Sequence, residues 1–149
     1  MKWLVLVHVL TAIIGIGPTY FGHVLCRGGQ RVGELRRSLE LFGFLNFFPK
    51  IGGTIAVLSG LLLVWLDGWK FASFWIIGSL ALYVAIQIVV VGLLGPMTGK
   101  LQKLISDPAL KAEQELPAES AVLLAKVNVL FYVASALGLV LFAFMIMKP

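Results

Sequence analysis

The sequence predicts an all-α fold, a four-helix transmembrane bundle, and three observations predict it. Hydrophobic residues make up 60% of the chain and charged residues 13%, against roughly 45–50% and 25% in a soluble domain. Mean hydropathy is +0.99. The apolar residues gather into four runs, Trp3 to Leu25, Phe47 to Leu66, Phe71 to Gly95 and Val122 to Met147, each matching the ~20 residues that cross hydrocarbon as a helix. A chain of 149 residues then has room for one integral membrane domain over residues 1–149 and for no sizeable soluble one.

The first run carries both histidines, His8 and His23. It continues to Leu25 without a small-x-small cleavage site and meets arginines at once, so it is expected to be a retained span, not a signal peptide. At 100° per residue, His8, Thr11, Ala12, Gly15, Thr19, Gly22 and His23 fall within roughly 60° of His8. Small residues let helices approach closely, so this face should point into the bundle. Pro18 removes an amide and predicts a bend.

After Arg27, Arg31, Arg36 and Arg37 comes a stretch in which Val32, Leu35, Leu39 and Phe42 recur at helical spacing. It predicts a short amphipathic helix in the first cytoplasmic loop, lying on the inner leaflet. The second run has Gly52, Ala56 and Gly60, a small-xxx-small series that signals close helix contact. A tight connection around Asp67 to Lys70 leads to the third run, where Ser79, Tyr83 and Gln87 form one stripe. The third helix is expected to extend to Ile105, Asp107-Pro108 to start a further helix as N-cap and first residue, and Pro117 to open the fourth. There Asn128, Tyr132 and Ser135 form a second polar stripe. Polar side chains in hydrocarbon seek partners, so both stripes should bond across the bundle.

The two longer loops with their flanks hold nine cations (Arg27, Arg31, Arg36, Arg37, Lys50, Lys100, Lys103, Lys111 and Lys126), against Lys2, Lys70 and Lys148 opposite. The positive-inside rule then places both termini outside and the longer loops in the cytoplasm of a bacterial inner membrane. Trp3, Trp65, Trp69 and Trp75 fall together at the outer interface, as an aromatic belt should. The net charge of +5 sits beside membrane spans and not on an aromatic-interleaved basic surface, so the partner is the lipid bilayer and not nucleic acid.

Depth separates the polar groups into two layers. With ~1.5 Å rise per residue, His8 lies ~9 Å from mid-span toward the outside, with Ser79 as the nearest polar candidate, and a neutral histidine there would bond to Ser79 or to a neighbouring carbonyl. His23, Lys50 and Asn128 lie ~9 to 14 Å toward the cytoplasm, with Tyr20 and Gln87 nearby. The histidines are ~22 Å apart along one helix and cannot share a metal ion. No carboxylate lies inside a span, so a proton relay built on Asp or Glu lacks its parts. No hydrolytic triad is assembled and no catalytic residue is named. One cysteine, Cys26, excludes an internal disulfide. A histidine at the depth of His8 is suited to ligate haem iron or to accept a hydrogen bond from a quinone or a partner subunit. Lys50 either snorkels to the headgroups or joins His23 in an anion-binding pocket.

The opening Trp3-Leu4-Val5-Leu6-Val7-His8, the stretch Pro49-Lys50-Ile51-Gly52-Gly53 leading into Ser59-Gly60-Leu61-Leu62-Leu63-Val64-Trp65, and the ending Phe144-Met145-Ile146-Met147-Lys148-Pro149 resemble a bacterial family of predicted integral membrane proteins with a domain of unknown function. More distantly, the histidine start and arginine-rich inner loop are similar to HemJ-type membrane protoporphyrinogen oxidases and CopD-type copper-resistance proteins. That similarity implies His8 as a haem ligand and Lys50 near a basic position of the HemJ second half. The leading expectation is therefore a small inner-membrane protein that binds b-type haem through His8, the metal entering as haem iron alone. A cofactor-free accessory subunit of a membrane complex or homo-oligomer, and a small-solute carrier using Gln87, Asn128 and Tyr132, are the alternatives.

Overall fold

The computed structural model describes residues 1–149. The helices are α1 (Lys2–Leu25), α2 (Val32–Leu45), α3 (Phe47–Leu66), α4 (Phe74–Gln87), a π-helical segment (Ile88–Leu94), α5 (Gly95–Ile105) and α6 (Ala118–Met147). There is no strand; one isolated bridge joins Arg31 and Glu115. Four helical rods, Lys2–Leu25, Val32–Leu66 (α2 and α3, divided at Asn46), Phe74–Ile105 and Ala118–Met147, are long and apolar enough to cross a membrane. α1 runs unbroken through Pro18.

The rods run alternately up and down. His8 of α1 lies against Gly60 of α3 and Gly15 against Gly52 and Gly53, so these two are antiparallel. Tyr20 meets Gly138 of α6, and Phe144 of α6 meets Gly78 of α4. Around the bundle the order is α3, α1, α6, α4. The circle does not close, because no Cα of α3 comes within 8 Å of one in α4 despite the short connection between them.

Contact between α1 and α3 is backbone to backbone. A Cβ on Gly15 would lie 2.6 Å from the amide nitrogen of Gly53 and 2.7 Å from the carbonyl carbon of Gly52. Only glycine allows that approach. The small-residue series of the second run thus has the close-contact role its spacing suggests.

The best-packed core is not in mid-membrane but at the arginine-rich end. Cys26, Leu35, Leu39, Leu94, Leu101, Ile105, Leu124, Val127 and Phe131 form one cluster. α2 is amphipathic, but its apolar face (Val32, Leu35, Leu39) is buried against protein and not laid on lipid. Arg36 fixes it there: its Nε donates to the Ile105 carbonyl at 2.6 Å and its Nη2 to the carbonyls of Asp107 and Leu110, both at 3.1 Å. The Ile105 carbonyl is one that the end of α5 leaves without a helical partner; the other two belong to the turn that follows.

The segment after α5 differs from the expectation of a helix begun by Asp107-Pro108. Asp107 Oδ1 accepts from the Ala109 amide at 2.9 Å and its carbonyl from Leu110 at 3.0 Å, so the same residues close a turn. Asp before Pro suits either structure. Tertiary pairing decides it, since the carbonyls of Ala112 and Gln114 accept from Gly33 and Val32 at the start of α2. The π-helical segment was not visible in the hydropathy pattern. It precedes Pro96, which has no amide to donate, and the Gly95 amide reaches back five residues to Val90.

Cys26 is 0% exposed, and burial pushes its thiol from the ordinary 9.0 up to about 12. The raised value disfavours the thiolate in the folded state, so this group's contribution to stability is intact below pH 9 and is lost as pH rises toward 12. Since the thiolate is the nucleophile, iodoacetamide at pH 8 should leave Cys26 unlabelled in the native protein and label it after denaturation in SDS. Native labelling at the rate of a free thiol would contradict this packing.

Candidate functional site

Between α1, α3, α4 and α6, at the tryptophan-rich end, lies a cavity of about 500 Å³. That is within the ~300–1,000 Å³ range of small-molecule sites. Most of its lining is apolar, from Val5, Val9 and Ala12 on α1 through Val57 and Leu61 on α3 to Leu141 and Phe142 on α6. The polar or ionisable side chains on its wall are His8, Ser79, Tyr83, Asp67 and Lys148, with the indoles of Trp69 and Trp75.

His8 is seated by α3. A Cβ on Gly60 would lie 2.8 Å from His8 Cε1 and 3.3 Å from Nδ1, so the imidazole occupies the space that the missing side chain leaves. Nδ1 is 2.8 Å from the carbonyl oxygen of Ala56 and 3.2 Å from Ser59 Oγ. A carbonyl only accepts, so Nδ1 carries the proton and donates. In the neutral imidazole Nε2 is then left with its lone pair, and it makes no hydrogen bond within the chain.

Of the two partners expected for His8, Ser79 or a neighbouring carbonyl, the second is the one it bonds. Ser79 Oγ donates to the Trp75 carbonyl of its own helix at 2.7 Å, as Thr11, Thr54 and Ser59 do to carbonyls in theirs. A hydroxyl in hydrocarbon finds the i−4 carbonyl without tertiary help, which is why a serine on an inward stripe need not bond across the bundle. Both His8 and Ser79 nevertheless line the cavity. Tyr83 lies deeper, its hydroxyl reaching toward α3, where a Cβ on Gly53 would be 3.9 Å away.

The rim is aromatic and cationic. Trp69 and Trp75 meet edge to face at 5.5 Å. Lys148 Nζ lies 4.9 Å from the centroid of the first and 5.2 Å from that of the second.

The second polar layer is separate. Asn128 Nδ2 donates to the carbonyls of His23 at 2.8 Å and Cys26 at 3.2 Å, and Gln30 Nε2 to those of Leu25 and Arg27, both at 2.8 Å. These cap the last turn of α1. The His23 ring rests on Tyr132 with centroids 4.6 Å apart. Tyr132 itself is 55% exposed, so this part of the fourth-span stripe faces the surroundings and not the interior. Tyr20 Oη, His23 Nδ1 and Ser135 Oγ are buried without partners. Lys50 is exposed and forms no ion pair. Gln87 ends α4 and makes no side-chain hydrogen bond.

The family model described as predicted integral membrane protein (DUF2269) matches residues 2–149. The chain belongs to that family. It is a multi-pass integral membrane protein. No match was found among curated proteins or among solved structures, so the more distant likeness to HemJ-type and CopD-type proteins gains no support from them.

Several parts of the site of this DUF2269 protein were not singled out from sequence: the Ala56 carbonyl, Ser59, the Gly60 seat, and Lys148 with its two tryptophans. The seat had a signal. Gly52, Ala56 and Gly60 repeat every four residues, as do Ala12 and His8 on the facing helix, and antiparallel pairing of the two series sets His8 beside Gly60. The rim had a coarser one: Trp69, Trp75 and Lys148 fall on the same outer side by the hydropathy pattern, but Lys148 and Trp69 lie in connecting or terminal backbone whose direction no periodicity gives.

Proposed function

We propose that this protein binds a flat, largely apolar cofactor in the cavity, with His8 Nε2 as its single strong polar contact, and that b-type haem is the group the donor set fits. The observation that carries this is the fixed tautomer. A ring nitrogen held by a backbone carbonyl is the usual outer support of a metal-ligating histidine, because it orients the ring and raises the basicity of the other nitrogen. A quinone carbonyl would instead require a donor, which Nε2 of this tautomer is not. Bound there, haem would supply one-electron chemistry inside the hydrocarbon layer. The chain's own part is to hold the iron through His8, to surround the macrocycle with aliphatic side chains and to exclude water. In the bacterial inner membrane, with the arginine-rich end in the cytoplasm, the cavity belongs to the outer leaflet.

The test is spectroscopic. The purified protein titrated with haemin should give a shifted Soret band that responds to dithionite, and His8→Ala should lose it while keeping its helical circular dichroism. Wild-type protein that leaves the haemin spectrum unchanged would overturn the reading.

A further inference from the structure

The rim of the cavity holds one cation, Lys148, that forms no ion pair within the chain. Lys148 is the single lysine or arginine on the cavity wall, and the chain's one ion pair is elsewhere, between Lys100 and Glu119. Asp67, on the same wall, is not paired with it.

Lysine at a helix end normally extends away from the hydrocarbon into the headgroups. Lys148 is exposed, and at this level it lies among indoles. Its backbone is left-handed, with φ of 46°, uncommon for a residue with a Cβ, and its amide bonds back to the Phe144 carbonyl at 2.9 Å. The chain thereby turns at the end of α6, and Nζ lies over both indoles. Such contacts attract the ammonium group without cancelling its charge. The cation is thus held at the mouth of an apolar cavity, exposed and open to an anion there.

We infer that the cavity takes an amphipathic acid, whose anionic group sits at Lys148 on the rim and whose apolar body fills the space down to His8. The inference rests on the reading that the cavity binds a ligand beside His8. The dimensions are consistent with it. His8 is level with Gly60, and the Trp69 amide bonds the Val64 carbonyl at 3.1 Å, so the rim begins one turn of α3, about 6 Å, above the imidazole. A ring system carrying a short carboxylate side chain spans that distance; a long-chain neutral lipid would leave the lysine without a partner.

The probe pair is metal-free protoporphyrin IX and its dimethyl ester, which share one apolar body and differ in charge. Binding is followed by fluorescence with the protein in lipid nanodiscs, and each probe's affinity is expressed against its mole fraction in the disc lipid, measured on empty discs. Wild-type protein should bind the acid about tenfold or more tightly than the ester, as one charge-assisted contact implies. Lys148→Gln should abolish that preference and Lys148→Arg should keep it. Equal affinity of wild type for the two probes overturns the inference, as does a preference that survives in Lys148→Gln. Loss of the preference in Lys148→Arg would assign it to shape and not charge, and overturns it too. Failure of the haem reading is distinct: acid preference persists, but haemin shows no His8-dependent Soret shift.

Discussion

Gly15→Leu will separate α1 from α3 and destabilise the bundle by roughly 3 kcal/mol or more, at or beyond the top of the range for overpacked interiors. A single Cβ at this position already falls 2.6 Å from one backbone atom of α3 and 2.7 Å from another. Backbone in a packed helix cannot step aside as a side-chain tip can, so both helices must move. Gly17, two residues along the same helix, has nothing within 4 Å of its Cβ position. Gly17→Leu therefore serves as the matched control, with the same gain in helix propensity of up to ~1 kcal/mol and no clash. SDS titration of the helical circular dichroism compares the two. Equal midpoints would show that the α1–α3 contact is not the close approach described.

Gly60→Val will act in the opposite way, sparing the fold and damaging the site. The atoms a Cβ would meet there belong to the His8 ring, at 2.8 and 3.3 Å, and a ring can swing where a backbone cannot. Swinging breaks the Nδ1 bond to Ala56 that fixes the tautomer and the aim of Nε2. Loss of an outer-shell partner of this kind typically costs about 10 to 100-fold in metal affinity. Haemin titration of Gly60→Val should show a loss of that size, with an SDS midpoint close to wild type. Wild-type haemin affinity in this variant would mean that His8 does not hold the iron from this seat.

The four apolar rods were legible because hydrocarbon imposes a length and a composition that few soluble helices share. The facing of α1 was legible for the same reason: glycine, alanine and histidine on one stripe have no use against lipid, and Ala12, Gly15 and Gly22 are indeed buried. What hydropathy did not carry was the identity of the neighbour. Depth offered His8 the hydroxyl of Ser79 or an unspecified neighbouring carbonyl, and the pairing of α1 with α3 selects that of Ala56. Asn128 shows a second limit. It reads as a candidate for an interior path, yet the structure commits its amide nitrogen to the open end of α1, a demand visible only once α6 is laid beside that end. Asp107-Pro108 shows a third, since one dipeptide suits a helix start or a turn and the pairing of residues 112–114 with α2 selects the turn.

The missing contact between α3 and α4 bears on how any occupant reaches the cavity. With no Cα of one within 8 Å of a Cα of the other, this side wall is made of side chains, Tyr83 among them, and in a membrane the acyl chains compete for the same apolar space. The relevant concentration of a ligand is then its mole fraction in the bilayer and not its concentration in water. Two compounds with equal intrinsic fit will appear to differ in affinity by the ratio of their partition coefficients, and adding lipid at constant total ligand will weaken apparent binding by dilution within the membrane.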